Sequence, residues 1–294
     1  MKPVAFEYYR ATSPDEALAL LRQHGYEAKL LAGGQSLIPA MNFRLAQPGV
    51  LIDLNRVAEL AFVEASGGAL RIGAMTRQRT AERSEQVAAH APLLVEALHH
   101  TAHPQIRNRG TIGGSIAHAD PAAEVPTVML ALGASFELRG AEGSREVAAG
   151  DFFTGFFGTA LEPEEMVASI TIPAAAERTG WAFEEVARRH GDYALAGVAA
   201  VLSLDERGQL RDARIALLSV ADRPVLAESA SALLAGQTPS PALVAEAAEL
   251  ASQGDIDPPS DIHASAEYRR RLVRVLTRRT LSRALERAGA QVRG

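Results

Sequence analysis

Residues 105–124 read QIRNRGTIGGSIAHADPAAE, and about eighty residues ahead of its glycine pair stands a second one, in AGGQSL at 32–37. Each segment centres on a Gly-Gly pair, Gly33-Gly34 and Gly113-Gly114, flanked by small hydroxyl residues. Turns of this kind expose backbone N–H groups and let a polyanion approach closely. Two of them in one chain imply a diphosphate gripped from two sides, and so a dinucleotide cofactor. Gln35 and Ser36 add side-chain donors for phosphate oxygens. In the longer segment the small side chains leave room for a flat ring, and Asp120 and Glu124 supply acceptors for ribityl, ribose or adenine donors. Read structurally instead, the first segment is an ordinary strand-to-helix turn, and the second is a helix cap at Asp120-Pro121 behind a surface pair, Arg107 and Arg109.

The familiar nucleotide fingerprints are absent. No third glycine follows Gly34 at the Rossmann offset, and no Gly-Lys-Ser/Thr of a Walker loop occurs. The chain has 294 residues and carries a net charge of −5, which leaves room for two or three cored units and disfavours a dedicated nucleic-acid binder. No apolar run reaches the length of a membrane span. The opening Met1–Tyr8 lacks the apolar core of a secretion signal, so a cytoplasmic protein is expected. There is no cysteine, which excludes disulfides, thiol catalysis and an iron–sulfur cluster on this chain's own thiolates. The eight histidines form no HExxH pattern; His99, His100 and His103 are close in sequence without an obvious carboxylate partner, and no metal site is expected.

Three units follow from the apolar patterning, in an α+β chain. In the first, Ser13-Pro14-Asp15-Glu16 reads as a capping box with proline at the first helical position, and Gly25 ends the helix. Lys29–Ala32 reads as a short buried strand running into the glycine turn, Leu37–Arg44 as one or two helical turns, and Val50–Leu54 as a strand. In the second, Ser66-Gly67-Gly68 joins a hairpin, helices are expected over 76–84, 92–99 and 124–132, and strands over 135–138 and 166–172. In the third, strands over 182–187, 197–204 and 213–218 suggest an antiparallel sheet. Helices follow over 224–234 and 241–251, and a basic one runs from about 264 to 287. On that last helix Leu272, Val275, Leu276 and Arg279 lie near one face. Its arginines suit either a docked helix with a solvated face or a contact with an acidic partner.

The two glycine segments resemble the FAD-binding medium subunits of the molybdenum hydroxylases, the group that includes the medium subunit of aerobic carbon monoxide dehydrogenase and the flavin domain of xanthine dehydrogenase. AGGQSLIPAMNFR matches the first loop of that family and QIRNRGTIGGSIAHADPAAE the second. The resemblance implies the FAD-binding fold of vanillyl-alcohol oxidase and p-cresol methylhydroxylase: two α/β subdomains, here 1–57 and 58–176, with a C-terminal antiparallel-sheet-and-helix domain at 177–294. Carried over by position, Lys29, Leu30, Leu31, Ala32, Gly33, Gly34, Gln35, Ser36, Leu37 and Ile38 would line the pyrophosphate and its neighbourhood. Ala102, Ile106, Gly110, Thr111, Gly114, Ser115, Ala117, Asp120 and Glu124 would approach from the second subdomain. Met166 and Val167 match positions that pack on the cofactor, and Tyr193, in a Gly-Asp-Tyr stretch, an aromatic beside the isoalloxazine ring. In one respect the chain departs from the family, whose members often carry a lysine just after the aromatic matching Phe183; here Glu184-Glu185 follows.

The resemblance also implies partners. Electrons would leave a molybdenum centre, pass through two [2Fe–2S] clusters and reach FAD. Without cysteines here, molybdopterin and the clusters belong on other chains: a small iron–sulfur subunit and a large molybdenum subunit, assembled as a dimer of heterotrimers. No side chain of this one need act as acid, base or nucleophile, because the flavin carries the redox chemistry. Two other functions fit the same residues: a self-sufficient flavin oxidoreductase, and a nucleotide-binding assembly module without redox chemistry.

Overall fold

The computed structural model describes residues 1–289. The first unit is a three-stranded parallel sheet of β1 (Glu7–Arg10), β2 (Ala28–Leu31) and β3 (Val50–Asp53), with β3 in the middle and fully buried. Helix Pro14–His24 covers it. Ser13 caps that helix by accepting a hydrogen bond from Glu16 N, proline takes the first turn, and Gly25 at φ +51° stops it. Ala17, Leu18 and Leu21 pack on Ile52 and Val50 in one apolar cluster. The strand expected at 29–32 exists, but it is not buried throughout: Lys29 is exposed and Leu30 and Leu31 are half-covered. It is an edge strand, with β3 on one side only.

The second unit is a five-stranded antiparallel sheet. Its strands are β4 (Val63–Ser66), β5 (Ala69–Gly73), β6 (Ser135–Gly140), β7 (Gly143–Ala148) and, after a short hairpin of β8 (Phe153–Gly155) and β9 (Gly158–Thr159), β10 (Met166–Ile172). The spatial order is β4-β5-β10-β6-β7. Strand β10 joins two cores. Met166 and Ala168 point into the cluster of the first unit, whereas Val167, Ile170 and Ile172 belong to that of the second, an alternation shifted by a bulge after Val167. The helix expected at 76–84 is shorter, Gln78–Arg83, because Ser84 leaves it to cap a separate helix, Glu85–His90. Helices Pro92–Leu98 and Glu124–Leu132 lie where the patterning put them.

The third unit is an antiparallel sheet of β11 (Thr179–Ala187), β12 (Ala194–Leu204), β13 (Leu210–Leu218) and β14 (Val225–Leu226). Its small residues carry a packing role. Ala196, Val198, Ala200 and Leu202 of β12 face the helix Ala266–Arg287, while Ala194 and Ala199 join the core of the second unit, so both faces of the sheet are covered. The long helix lies almost on β11: a Cβ on Gly180 would stand 1.8 Å from the Ala284 carbonyl oxygen. Two readings are corrected here. Residues 224–234 are not one helix; β14 precedes helix Glu228–Leu234, since Val225 and Leu226 pair with Leu217 and Ala216. The buried stripe of the last helix is Arg269, Val273, Leu276, Thr277, Thr280, Leu281, Ala284 and Leu285, with Leu272 and Val275 at its margin and Arg279 exposed. Buried threonines and an arginine hid that stripe from an apolarity count.

Candidate functional site at the seam of the two glycine turns

The two glycine turns meet. A Cβ built on Gly33 would lie 2.5 Å from the Arg109 carbonyl oxygen and 2.7 Å from Gly110 Cα, and one on Gly114 would lie 3.4 Å from the Ala32 side chain. The bare backbone at Gly33 is therefore needed for the second turn to approach, whereas Gly114 is kept bare by its own Thr111 hydroxyl, 2.6 Å from where its Cβ would stand. Between Gly33 and Leu37 the chain offers five consecutive N–H groups, and none of them finds an acceptor among the described residues. Unpaired backbone donors in a turn with Gly34 at φ +74° are the kind of group from which anion-binding nests are built. Gln35 is less free than its side chain suggested, because its amide nitrogen donates to the Gly33 carbonyl at 3.1 Å. Ser36 precedes helix Leu37–Asn42 and bonds to it only through its carbonyl, which accepts from Ala40 N at 3.1 Å, so its hydroxyl is left to other partners.

A polar bracket that the sequence did not disclose ties the seam together. Asn55 Nδ2 donates to the Ala32 carbonyl at 3.0 Å, and Asn55 N donates to Asp53 Oδ1 at 2.7 Å. Arg77 reaches across from the second unit, donating through Nη2 to Asn55 Oδ1 and through Nη1 to the Arg109 carbonyl. One arginine thus touches the scaffold of both turns. Burial, followed by the nearby Arg109 charge, lowers the Arg77 pKa from its ordinary value. Asn55 lies more than twenty positions from both Ala32 and Arg77, and the three form no motif.

The second segment is built as much from its supports as from its glycines. Thr111 is buried and caps helix Ile112–His118, its hydroxyl accepting from Gly114 N at 3.0 Å. It therefore shapes the turn. The N–H groups of Ile112 and Gly113 bond to the Thr76 and Ala74 carbonyls, so this turn contributes shape where the first contributes donors. Arg107, read as half of a surface pair, is 5% exposed. Its guanidinium grips Glu82 at 3.0 and 3.2 Å and donates through Nη1 to the carbonyls of Thr101 and Ala102. This holds Ala102 at φ +45°, a conformation that residues with a Cβ adopt only when their surroundings impose it. Ala119 at φ +52° ends the helix at the other side of the segment.

The remaining expected residues divide. Ile106, Gly114, Ser115, Ala117 and Asp120 retain some exposure around the seam, while Gly110 and Glu124 are buried. Lys29, Ser36 and Ile38 are exposed, and Leu37 is half-covered. Asp120 turns its own loop by accepting from Ala122 N at 2.9 Å. Met166 and Val167 are 2% and 6% exposed, each inside an apolar cluster, so packing accounts for both. Tyr193 is 68% exposed and immediately precedes β12. Partial burial, then the charges of Asp120, Glu124 and Asp192, raise its hydroxyl pKa. The third unit closes on the loop from Ala102 to Glu124 at two points: Ser219 N donates to the Pro121 carbonyl at 2.9 Å, and Gly191 abuts the His103 ring.

Two of the histidines, which the sequence showed without an obvious carboxylate partner, have one in the fold. His99 Nε2 lies 3.6 Å from Glu82 Oε1, and His100 Nδ1 lies 3.6 Å from Glu185 Oε1. The sequence hid both because the sheet and the helix fold back over long spans. Glu184 points to the other face of β11, where Arg283 holds it. Arg283 and Arg287 also clasp Glu96, which fastens the terminal helix to the second unit. Among the described residues no group of three or more histidines and carboxylates gathers in a metal-binding arrangement, and no helix is long and apolar enough to cross a membrane.

Known proteins resemble this chain over almost its whole length. Residues 4–175 match the family described as the FAD binding domain in molybdopterin dehydrogenase, and residues 181–284 the CO dehydrogenase flavoprotein C-terminal domain. The chain is 42% identical to the 6-hydroxypseudooxynicotine dehydrogenase complex subunit alpha of Paenarthrobacter nicotinovorans, over 98% of this chain and 97% of that one. It is also 42% identical to the carbon monoxide dehydrogenase medium chain of Hydrogenophaga pseudoflava, over 97% and 98%. A solved carbon monoxide dehydrogenase from the same organism, lacking the Mo-pyranopterin moiety of its cofactor, contains a chain that superimposes with a TM-score of 0.95 at 43% identity, covering 98% of this chain and 99% of that one. Two turns that share one seam, five donors left unpaired in it and agreement along almost the whole length lead to one conclusion: the chain belongs to the family of FAD-binding medium subunits of the molybdenum hydroxylases.

Proposed function

We propose that this chain holds one FAD along the seam between residues 1–57 and 58–176, partly covered by 177–294, and passes electrons from the iron–sulfur clusters of a partner chain to an external acceptor. The observation that carries the reading is the nest of unpaired N–H groups at Gly33–Leu37, held against Arg109 and Gly110. A pyrophosphate fits such donors, and the Ser36 hydroxyl adds one more. Leu30, Leu31 and Ala32 would form the wall beside it, with Lys29 and Ile38 at its ends. Ala102, Ile106, Gly114, Ser115, Ala117 and Asp120 would form the opposite wall, shaped by Thr111 and Gly110, while Met166 and Val167 would support it from below. Bound FAD would supply electron exchange with both neighbours, the partner's clusters and the acceptor. Tyr193, exposed just ahead of β12, would cover one face of the ring and limit access of the acceptor.

The absence of cysteine from all 294 residues means that clusters must come from elsewhere. A small iron–sulfur subunit and a large molybdenum subunit are the partners we infer, in a cytoplasmic dimer of heterotrimers. Expression together with the neighbouring genes tests this. The complex should carry iron, molybdenum and one FAD per copy of this chain, and the chain purified by itself should show a flavin spectrum without iron. Reduction of the isolated flavoprotein by an organic substrate would instead favour a self-sufficient oxidoreductase.

A further inference from the structure

Arg77 stands between the two halves of the seam, and its anchors on both sides are fixed. On one side, residues 76–78 run against the second glycine segment. Ile112 N donates to the Thr76 carbonyl at 3.0 Å, Gln78 N donates to the Gly110 carbonyl at 2.9 Å, and Arg77 and Thr111 form an antiparallel bridge. Gln78 is buried, and its Oε1 lies 2.5 Å from where a Cβ on Gly110 would stand. The Arg77 backbone is therefore part of the scaffold of the second turn. On the other side, Asn55 is held just beyond β3. Its N donates to Asp53 Oδ1 at 2.7 Å, and Asp53 Oδ2 accepts from the Tyr8 hydroxyl. Leu54 N donates to the Leu31 carbonyl at 3.0 Å, which ties this corner to the strand that runs into Gly33. Between these anchors the hydrogen bonds run in series: Asn55 Nδ2 to the Ala32 carbonyl, Arg77 Nη2 to Asn55 Oδ1, and Arg77 Nη1 to the Arg109 carbonyl. The last acceptor is the same oxygen that Gly33 packs against. Among the described residues one other side-chain hydrogen bond joins 1–57 to 58–176, from Arg139 to Asp15, and that aspartate side chain is 80% exposed.

We propose that Arg77 is the positioning residue that sets the width of the cofactor seam, through the series of bonds from Ala32 by way of Asn55 to Arg109. Contact at Gly33 limits how near the two turns come, and the series limits how far they part. This rests on the FAD reading of the seam, because a ligand gripped from both sides binds best when their separation is set before it arrives. Arginine suits the task, since its planar fork offers donors at a fixed spacing and a single ammonium does not. Bonds in series also have a signature. Once the series is cut at one point, a second cut removes nothing further, whereas two independent supports lose affinity additively.

Titration of the stripped full chain with FAD tests this in Arg77→Ala, Asn55→Ala and the double variant, alongside urea unfolding of the same chains without ligand. Each single change should weaken FAD binding by about 10- to 150-fold, the worth of a hydrogen bond to a charged group. The double variant should bind no more weakly than the weaker of the two singles. Arg77→Lys, a milder change that keeps the charge without the fork, should still bind roughly 5-fold or more weakly than the parent. Unaltered affinity in Arg77→Ala, additive losses in the double variant, or parent-like affinity in Arg77→Lys would overturn the proposal. A lower urea midpoint with the FAD affinity of the folded chain unchanged would also overturn it, since that is the mark of a residue serving stability alone. An unmodified chain that binds no FAD would sink the reading of the seam. The unfolding series would then still decide the link, because stability losses that add in the double variant would overturn it.

Discussion

Replacing Gly33 by alanine places a methyl group where the two turns touch. Its Cβ would stand 2.5 Å from the Arg109 carbonyl oxygen and 2.7 Å from Gly110 Cα, both backbone atoms that cannot swing aside. Ordinary contact requires the turns to separate by about 1 Å, and overpacking of this kind costs about 1–3 kcal/mol. If FAD is held only when the turns are closed, that strain appears in its affinity, as a weakening of roughly 5- to 150-fold. The assay is a fluorescence titration of the stripped chain with FAD, alongside thermal unfolding without ligand. Gly150→Ala is the control, because nothing lies within 4 Å of the methyl group it adds. Gly33→Ala with unaltered FAD affinity and unaltered unfolding would refute the reasoning, for it would mean that the seam is not tight.

Other expectations follow from the same structure. Glu124 is buried with a pKa of about 7, above its ordinary 4.5, so the fold favours its neutral form. Its destabilising effect is absent below the unfolded pKa, grows as pH rises and is complete above about 7. Glu124→Gln should therefore unfold like the parent in mild acid and be more stable at pH above neutrality, by about 3 kcal/mol at most; urea unfolding at the two conditions checks this. Arg107→Ala leaves Glu82 buried with only Arg79 and His99 near it and frees the carbonyls that hold Ala102. A loss of about 3 kcal/mol or more in stability is expected, with flavin content falling too. Tyr193→Ala removes an exposed ring and should leave unfolding within about 0.5 kcal/mol, while changing the rate at which reduced protein meets external acceptors in stopped-flow measurements.

How much of this could be read before the structure depends on the distance over which each cause acts. The cap at Ser13, the stop at Gly25, the hairpin at Gly67-Gly68 and helix Glu124–Leu132 depend on neighbours within a few residues, and the sequence displays them. Strand β14 was missed because two residues gain their strand character only from β13. The stripe of the terminal helix lies elsewhere than the apolar pattern suggests because Arg269, Thr277 and Thr280 are buried there, and Arg269 Nη1 donates to the Leu195 and Ser219 carbonyls of distant elements. At the site the glycine pairs were legible, but their role was only half anticipated. Gly33 serves turn-to-turn contact first, and Thr111 serves its own helix. The Asn55–Arg77 bracket, the Arg107–Glu82 pair and the His100–Glu185 contact join residues far apart in the chain, and no local pattern announces them.

Hydrogen exchange with and without FAD probes the shared seam most directly. Saturating FAD should slow exchange at the N–H groups of Gly33–Leu37, which have no acceptor among the described residues, and at the loop from Ala102 to Glu124 in the same experiment. Protection confined to one of the two turns, or found at neither while FAD stays bound, would contradict the account.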